Sequence, residues 1–327
     1  QQDHPDYTPS VDSLVKLIDK SSEEELLKLH NDLHRALYEM NDLDIHLKHN
    51  QNFIDAAKKN GNKDKEMLAR TLRIEAMYNH SAPDSLLLTE SRKALDLMRG
   101  VPEAEGYYFY IASIVTEKHV LSGNYEEALH TAEKFYKEAQ ERKNISGIAS
   151  ALQSMGMAYG ALELYDKAES SFRDIIALKG KFETGIRSDA YKNLADMLIN
   201  QERFDEALEV CKAQEAFLSK LKSHPDYQEG IFDNLLFLNS LAYGNAYIGL
   251  HQYAEAEKYI VKAKTYSIAT TELGIFSVEV VRFHLLQDQG KYAEAEKSLD
   301  LMDDVHGNDA GNTTKLDLKE LRAELYY

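Results

Sequence analysis

The fold of this chain is decided by a short pattern that first appears clearly as Gly123-Asn124-Tyr125-Glu126-Glu127-Ala128. An aromatic residue, two mostly polar residues and an alanine then return four more times. The later copies start 40, 39, 49 and 39 positions apart, at Tyr165, Phe204, Tyr253 and Tyr292. Because a fixed period in this range is the signature of stacked structural repeats, the pattern predicts a repeat array.

The composition of the 327 residues fits long helices joined by short turns. Glycine and proline are scarce, at 16 and 5 residues, and no alternating strand pattern competes with the helical spacing. We therefore predict an all-α chain in three parts. These are a polar leader at 1–9, degenerate helical hairpins at 10–102, and five clear repeats plus the first helix of an unfinished one at 103–327.

Apolar residues at helical spacing, together with capping residues at the turns, place the individual helices. The helices before residue 103 lack a clear aromatic–alanine signature, which is common in the end repeats of an array because one side meets solvent. The predicted helices are approximately 10–19, 23–40, 43–59, 62–79, 84–98, 103–121, 125–142, 145–162, 166–179, 184–200, 205–221, 229–249, 254–268, 272–289, 293–304 and 315–327.

Charge and hydropathy narrow the class of partner. The formal net charge is −17 and the pI is about 5.2, so the surface repels phosphate backbones and anionic lipids. We therefore expect no nucleic-acid ligand. No apolar run is long enough to span a bilayer, and we expect no direct membrane insertion. The single cysteine, Cys211, falls where a small buried core residue belongs.

The two ends of the sequence suggest processing or truncation. The chain opens at Gln1, and its last predicted helix carries an apolar face with no following partner, formed by Leu316, Leu318, Leu321 and Leu325. Since the terminal repeat of an array needs a polar outer face, we interpret the sequence as a piece of a longer protein.

One hairpin resembles the tetratricopeptide repeat in the spacing of its packing residues. Gly156 is the small residue of the first helix, Tyr165 is the aromatic at the turn, and Ala168 follows the small residue by twelve positions. The same offset joins Gly244 to Ala256 and Ala195 to Ala207. The resemblance is good over 103–327 and weak over 10–102.

Two departures qualify the resemblance. Thr116 and Phe283 replace the small residue in the first and last clear repeats, and the period exceeds the usual 34 residues of the family. The longer helices resemble the extended repeats of bacterial signalling proteins. These include the extracytoplasmic sensor regions of membrane histidine kinases and the intracellular peptide-pheromone receptors of Gram-positive bacteria.

The resemblance implies a right-handed α-α superhelix, a solenoid of stacked antiparallel hairpins whose first helices line a concave groove. The groove positions carry amides, which suit an extended peptide backbone, and aromatic or thioether groups, which suit apolar side chains. We expect a protein or peptide to bind there. The predicted groove residues are Tyr110, Ser113, Glu117, Gln153, Met157, Asp189, Lys192, Asn193, Asp196, Asn245 and His284.

The family resemblance also argues against one class of ligand. Chaperone-binding members of the family hold a C-terminal carboxylate with a cluster of lysine and asparagine side chains. Here Lys192 stands between Asp189 and Asp196, so the clamp is missing and a C-terminal acidic tail is not expected.

Sequence motifs for catalysis are missing as well. There is no glycine-rich phosphate loop, no nucleophile elbow and no cysteine–histidine constellation. Two histidine pairs at helical spacing, His30 with His34 and His46 with His49, could approach each other across the first hairpin. They lack the glutamate of a zinc protease motif, and we expect no catalytic residue, no metal and no cofactor.

We therefore interpret the chain as a non-catalytic protein- or peptide-binding domain. The resemblance favours the periplasmic (extracytoplasmic) sensor region of a bacterial signalling protein such as a two-component histidine kinase, with any kinase module outside this chain. Two alternatives stay open, a cytoplasmic peptide-pheromone receptor of the Rap type and a structural scaffold. A homodimer is compatible with each of them.

Overall fold

A computed structural model describes most of the chain as two compact units, Gln1–Leu162 and Glu163–Tyr327. The described residues are 11–18, 20, 29, 32–34, 36, 37, 42–179, 184–221, 229–306 and 312–326. The predicted polar leader at 1–9, both ends of the helix predicted over 23–40, and His30 lie outside them.

Unit 1 consists of helices joined by short turns. Residues 29, 32–34, 36 and 37 are helical, and we call these described residues together the 29–37 segment. A 3₁₀ turn at Pro102–Ala104 precedes the fifth helix. The helices are α1 (Val11–Ile18), α2 (Leu43–Lys59), α3 (Lys63–Asn79), α4 (Asp84–Met98), α5 (Glu105–Leu121), α6 (Tyr125–Glu141) and α7 (Ile145–Ala161).

Unit 2 repeats the same construction. A 3₁₀ turn at Ser267–Thr270 separates two of its helices. The helices are α8 (Tyr165–Ala177), α9 (Thr184–Asn200), α10 (Phe204–Leu221), α11 (Glu229–Gly249), α12 (Tyr253–Ala263), α13 (Glu272–Asp288), α14 (Tyr292–His306) and α15 (Asn312–Tyr326). The described residues contain no strand, and the predicted all-α fold of repeated hairpins is confirmed.

Most predicted helix bounds agree with the structure to within two residues; the helix predicted to end at 268 and the helix predicted to begin at 315 differ by more, since they end at Ala263 and begin at Asn312. The helix predicted from 103 begins at Glu105 because Pro102 starts a 3₁₀ turn. The helix predicted over 254–268 ends at Ala263, before the second 3₁₀ turn. The helix predicted to end at 304 continues to His306, so Asp303 and Asp304 are helical and do not belong to the following connection.

The repeat alanines form the centre of the packing, as predicted. The five alanines of the pattern are fully buried: Ala128, Ala168, Ala207, Ala256 and Ala295. The aromatic residues three positions earlier differ more from one another. Tyr292 is 58% exposed and Tyr165 is 39% exposed, so the aromatic at the turn does not fill a closed space in every repeat.

Several of the short turns between helices share one backbone geometry. The N–H of Asn124 donates to the carbonyl of His119, closing the end of α5, and Gly123 adopts a φ of 73°. Lys143 takes the same left-handed conformation without being glycine, at a φ of 57°. Four other non-glycine residues adopt the same left-handed backbone conformation: Ser81, Glu163, Glu202 and His251.

The core of unit 1 is rich in aromatic and thioether side chains. The ring of Tyr108 contacts Phe109 and Phe135 edge-on, with centroids 5.3 and 5.6 Å away, and Met77 and Met98 are fully buried nearby. The aromatic run at 107–110 is therefore divided between the core and the surface. Tyr108 and Phe109 are buried, whereas Tyr110 is exposed.

In unit 2 the apolar face of α15 packs on the preceding hairpin. Leu318 and Leu321 are buried against a cluster that contains Phe283 and Met302, and Leu325 lies at its edge. The side chain of Leu316 lies outside the described residues. No helix among the described residues combines the length and hydropathy needed to cross a membrane.

Candidate functional site

The predicted groove residues lie on the first helices of successive hairpins. In unit 1 these helices are α3, α5 and α7, and α5 contacts both of the others. In unit 2 they are α9, α11 and α13, and α11 contacts both of the others. Side chains on neighbouring first helices can therefore act on one ligand within each unit.

In unit 1, α5 and α7 carry the predicted residues. Tyr110, Ser113 and Glu117 lie on α5, and the hydroxyl of Ser113 donates to the carbonyl of Tyr110 over 2.7 Å. Gln153 and Met157 lie on α7, and both are half-buried. The side-chain oxygen of Gln153 is buried without a hydrogen-bond donor among the described protein groups. That oxygen is an unused acceptor.

Two residues that sequence reasoning did not identify join this surface from α3. The Glu75 carboxylate accepts a hydrogen bond from the hydroxyl of Tyr110. One turn further along α3, the hydroxyl of Tyr78 donates to the carboxylate of Glu117 on α5. Each helix thus contributes one phenol and one carboxylate. We call Glu75, Tyr78, Tyr110 and Glu117 the phenol–carboxylate surface.

The turn geometry explains why Glu75 belongs to this surface. The turn after α3 is closed by a bond from the N–H of Ala82 to the carbonyl of Met77. The turn after α5 is closed in the same way between Asn124 and His119. Counted back from these bonds, Glu75 occupies on α3 the position that Glu117 occupies on α5. Counting positions back from the helix ends would therefore have identified Glu75. Counting from the repeat alanines could not, because this hairpin lacks the alanine pattern.

Burial makes ionisation of two groups on the phenol–carboxylate surface less favourable than it is in water. Burial raises the pKa of the Glu75 carboxyl, and the hydrogen bond from Tyr110 opposes that rise. Burial and the hydrogen bond to Glu117 raise the pKa of the Tyr78 hydroxyl. Among the described residues, no lysine or arginine forms an ion pair with Glu75 or Glu117. The phenols bond to these carboxylates but do not neutralise their charge.

In unit 2 the predicted residues neutralise one another more fully. Asp189, Lys192, Asn193 and Asp196 lie on α9, and the ammonium of Lys192 is 2.8 Å from the carboxylate of Asp196. The two side chains are one helical turn apart and about 40% exposed, so the pair contributes little to stability. Among the predicted groove residues of unit 2, the pair leaves no isolated cation for an acidic ligand.

The remaining two predicted residues lie on α11 and α13. Asn245 is half-buried on α11. On α13, the ring of His284 packs edge-on against Phe283 with centroids 5.4 Å apart. Burial lowers the pKa of His284, while the charge of Glu324 and a hydrogen bond with Gln287 oppose the change. The imidazole is therefore a neutral packing group near neutral pH.

The histidines of the first hairpin do approach one another, as the sequence allowed. Nε2 of His46 is 2.8 Å from Nδ1 of His34, and Nδ1 of His46 is 3.4 Å from Nε2 of His80. His46 uses opposite ring nitrogens for the two contacts, so the three rings form a chain and do not converge on one point. Among the described residues no group of histidine, cysteine and carboxylate side chains could hold a metal ion.

Cys211 is a core residue, as predicted. Its side chain is fully buried in unit 2. Burial raises the pKa of the thiol to about 12, with smaller contributions from the negative charges of Asp196 and Glu215. A thiol with this pKa is protonated at neutral pH and is a poor nucleophile.

Comparisons with known proteins agree with this architecture. A tetratricopeptide repeat protein from Parabacteroides merdae ATCC 43184 is similar over 97% of this chain and all of its own, with a TM-score of 0.56 and 17% identity. BtubC (BKLC) from P. vanneervenii is similar over 68% of this chain and 90% of its own, with a TM-score of 0.56 and 14% identity. At these identities the similarity shows the fold alone, which is tetratricopeptide-like. No family model and no curated protein matches the sequence.

Proposed function

We propose that this chain is a non-catalytic binding domain whose phenol–carboxylate surface takes an extended peptide segment bearing lysine or arginine side chains. A repeat fold of this class generally serves protein binding. The observation that carries the finer proposal is the pairing of Glu75 with Tyr110 and of Glu117 with Tyr78. Two carboxylates are held in position there, and no described cation neutralises them.

A cationic side chain complements this surface in two ways. An ammonium or guanidinium group supplies the positive charge that Glu75 and Glu117 lack, and the bonds it forms to a carboxylate are stronger than bonds between neutral groups. The flanking phenol rings offer faces on which the aliphatic part of lysine or arginine packs. The side-chain oxygen of Gln153, an acceptor without a donor, suits a backbone N–H of the same segment.

The net charge of −17 supports the same choice of partner. A negative surface raises the rate of encounter with a basic segment and lowers it with an acidic one. In unit 2, by contrast, Lys192 is paired with Asp196, so that surface offers no comparable excess of one charge.

The experiment compares three fluorescein-labelled peptides of equal length that carry arginine, serine or glutamate at the same alternate positions. Fluorescence polarisation with the full chain is expected to show binding of the arginine peptide only. Glu75→Gln and Glu117→Gln should each weaken that binding by about tenfold, which corresponds to about 1.4 kcal/mol. The isosteric amide retains shape and hydrogen bonding and removes the charge.

The matched control is Glu127→Gln, since Glu127 is exposed on the second helix α6. Affinity for the arginine peptide should change by less than twofold in this variant. If the serine peptide binds as tightly as the arginine peptide, or if Glu127→Gln is as harmful as Glu75→Gln, the charge-based assignment is wrong.

At the level of the whole protein, we place this domain in the extracytoplasmic sensor region of a bacterial signalling protein such as a membrane histidine kinase. What supports the placement is the resemblance of the long repeats to such regions. A ligand would act by changing the packing angle between hairpins, a change that α15 could pass on. A membrane span and a kinase core in the parent reading frame would support this placement. A stop codon soon after Tyr327 would leave the pheromone-receptor and scaffold alternatives.

A further inference from the structure

Three imidazoles form a hydrogen-bonded chain through the first hairpins of unit 1. His34 lies on the 29–37 segment, His46 on α2 and His80 at the C-terminal cap of α3. His46 is completely buried between the other two, at 2.8 Å from His34 and 3.4 Å from His80. The chain therefore links three separate helical elements through one residue.

The number of protons on the chain decides whether both contacts can exist. A neutral imidazole has one donor and one acceptor nitrogen, so three neutral rings satisfy both contacts when all hydrogen bonds point the same way. One extra proton is also tolerated, because the bonds can all point away from the charged ring. A second extra proton places two N–H donors face to face in at least one contact, whichever rings carry the protons.

The chain of three histidines also reaches the phenol–carboxylate surface. Nε2 of His34 is 3.8 Å from the carboxylate of Glu75, which accepts the hydrogen bond of Tyr110. Among the described residues, His49 on α2 also acts electrostatically on His46. The guanidinium of the nearby Arg73 on α3 donates a hydrogen bond to the carbonyl of Leu47, and its Nε lies 3.6 Å from the carboxylate of Glu90. Glu75 thus connects the histidines to the phenol–carboxylate surface.

We propose that the His34–His46–His80 chain is an acid-operated switch, in which uptake of a second proton separates the 29–37 segment and α3 from α2 and thereby disturbs the position of Glu75. The expectation that acid weakens peptide binding rests on the proposed function. The opening itself does not, because it concerns the ligand-free chain.

The direction of the pH dependence follows from the folded-state pKa values. Burial is the main cause that lowers the pKa of His34 to about 4 and that of His46 to about 3, and the neighbouring imidazoles add to the effect. In the unfolded chain both groups titrate near 6.5. The open state therefore binds more protons below that pH. The stability that the closed state gains from its neutral imidazoles is complete above about pH 6.5, and it is lost as the pH falls toward 4.

The test is hydrogen exchange of the ligand-free full chain at pH 7.0 and pH 5.0, corrected for the intrinsic pH dependence of amide exchange. Amides of 43–80 should lose at least tenfold in protection at pH 5.0, while amides of α11 should keep theirs. His46→Gln keeps a hydrogen-bonding side chain but cannot be protonated, and its loss over 43–80 should be at least threefold smaller than that of the unmodified chain. His130→Gln, which changes an exposed histidine on α6, should behave as the unmodified chain does.

If His46→Gln does not fold at pH 7.0, His80→Gln replaces it as the test variant. His80 is the half-buried last imidazole of the His34–His46–His80 chain. The proposal is overturned if the unmodified chain keeps its protection over 43–80 at pH 5.0. It is equally overturned if the loss persists unchanged in the folded glutamine variant. Neither result bears on the arginine-peptide experiment, which is done at neutral pH.

Discussion

The ring of Phe204 at the start of α10 lies directly against the backbone of Gly249 at the end of α11. A β-carbon built on Gly249 would lie 2.2 to 2.5 Å from three carbons of that ring, a distance that real contacts do not allow. The aromatic residue of one repeat thus packs on the first helix of the next repeat. Because Gly249 has no side chain, there is room for the Phe204 ring at this position.

Gly249→Ala is therefore expected to destabilise unit 2. The new methyl group must displace the Phe204 ring, and such overpacking costs about 1–3 kcal/mol. The better helix propensity of alanine returns up to about 1 kcal/mol. We expect a net loss of about 1–2 kcal/mol in the free energy of unfolding, measured by urea denaturation with circular dichroism.

Two further variants separate the clash from other effects of the substitution. Gly160→Ala adds a methyl group to α7 where nothing lies within 4 Å, and it should stabilise the chain or leave it unchanged. Combined with Phe204→Leu, Gly249→Ala should cost clearly less than it does alone. A double variant in which the two losses simply add would show that the ring is not the cause.

Much of the fold could be predicted because the repeat pattern records how hairpins pack. The buried alanines such as Ala207 and Ala256 must be small wherever two helices approach, so they recur at a fixed spacing. The 3₁₀ turn at Ser267–Thr270 was not predictable in this way. It depends on a close approach of Gly274 to the carbonyl of Ile268, where a β-carbon would lie 1.9 Å from the oxygen.

The candidate site could be predicted only in part, for a different reason. Tyr110 and Glu117 were found because a register could be counted from the repeats around them. Their partners Glu75 and Tyr78 lie in a hairpin without the aromatic–alanine pattern, so positions counted from the repeat alanines did not include them. Which phenol meets which carboxylate depends on the distance between α3 and α5, and one sequence does not contain that distance.

Lys143→Gly is expected to stabilise unit 1 even though it removes a side chain from an exposed turn. Lys143 adopts a left-handed conformation with a φ of 57°, which costs a non-glycine residue about 1 kcal/mol. The greater entropy of glycine in the unfolded chain offsets part of this gain. A net gain of a few tenths to about 0.5 kcal/mol should appear as a higher midpoint of urea denaturation.

The reverse substitution at an equivalent turn is the control. Gly123 has a φ of 73° and open space around its α-carbon, so Gly123→Ala introduces strain without a steric clash. A loss of about 1 kcal/mol is expected. If Lys143→Gly is as destabilising as Gly123→Ala, the side chain of Lys143 contributes contacts that outweigh the backbone strain.

A buried amide pair connects α10 with α11, and breaking it should be costly. The side-chain amide of Asn239 donates to the side-chain carbonyl of Gln214 over 2.7 Å and to the carbonyl of Cys211 over 3.1 Å. Gln214 in turn donates to Ser188 on α9. Asn239→Ala removes the donor to the buried side-chain carbonyl of Gln214, which costs about 1–3 kcal/mol.

The loss is measured as a fall in the melting temperature of the full chain. Asn234→Ala on the same helix is the matched control, because Asn234 is exposed and its replacement should change stability by less than about 0.5 kcal/mol. Equal effects of the two variants would mean that helix propensity, and not the buried network, sets the loss.

Cys211 should resist alkylation as long as unit 2 is folded. Burial raises the pKa of its thiol from 9.0 to about 12, so at pH 8 the folded chain holds about a thousandfold less thiolate than the unfolded chain. Iodoacetamide should therefore modify the chain at pH 8 only as fast as unit 2 opens, and 6 M urea should accelerate the reaction strongly. Since the folded pKa exceeds the unfolded one, this group stabilises the fold below pH 9 and loses that contribution as the pH rises toward 12. Mass spectrometry of the alkylated chain gives the rate, and rapid modification under native conditions would show that α10 opens on its own.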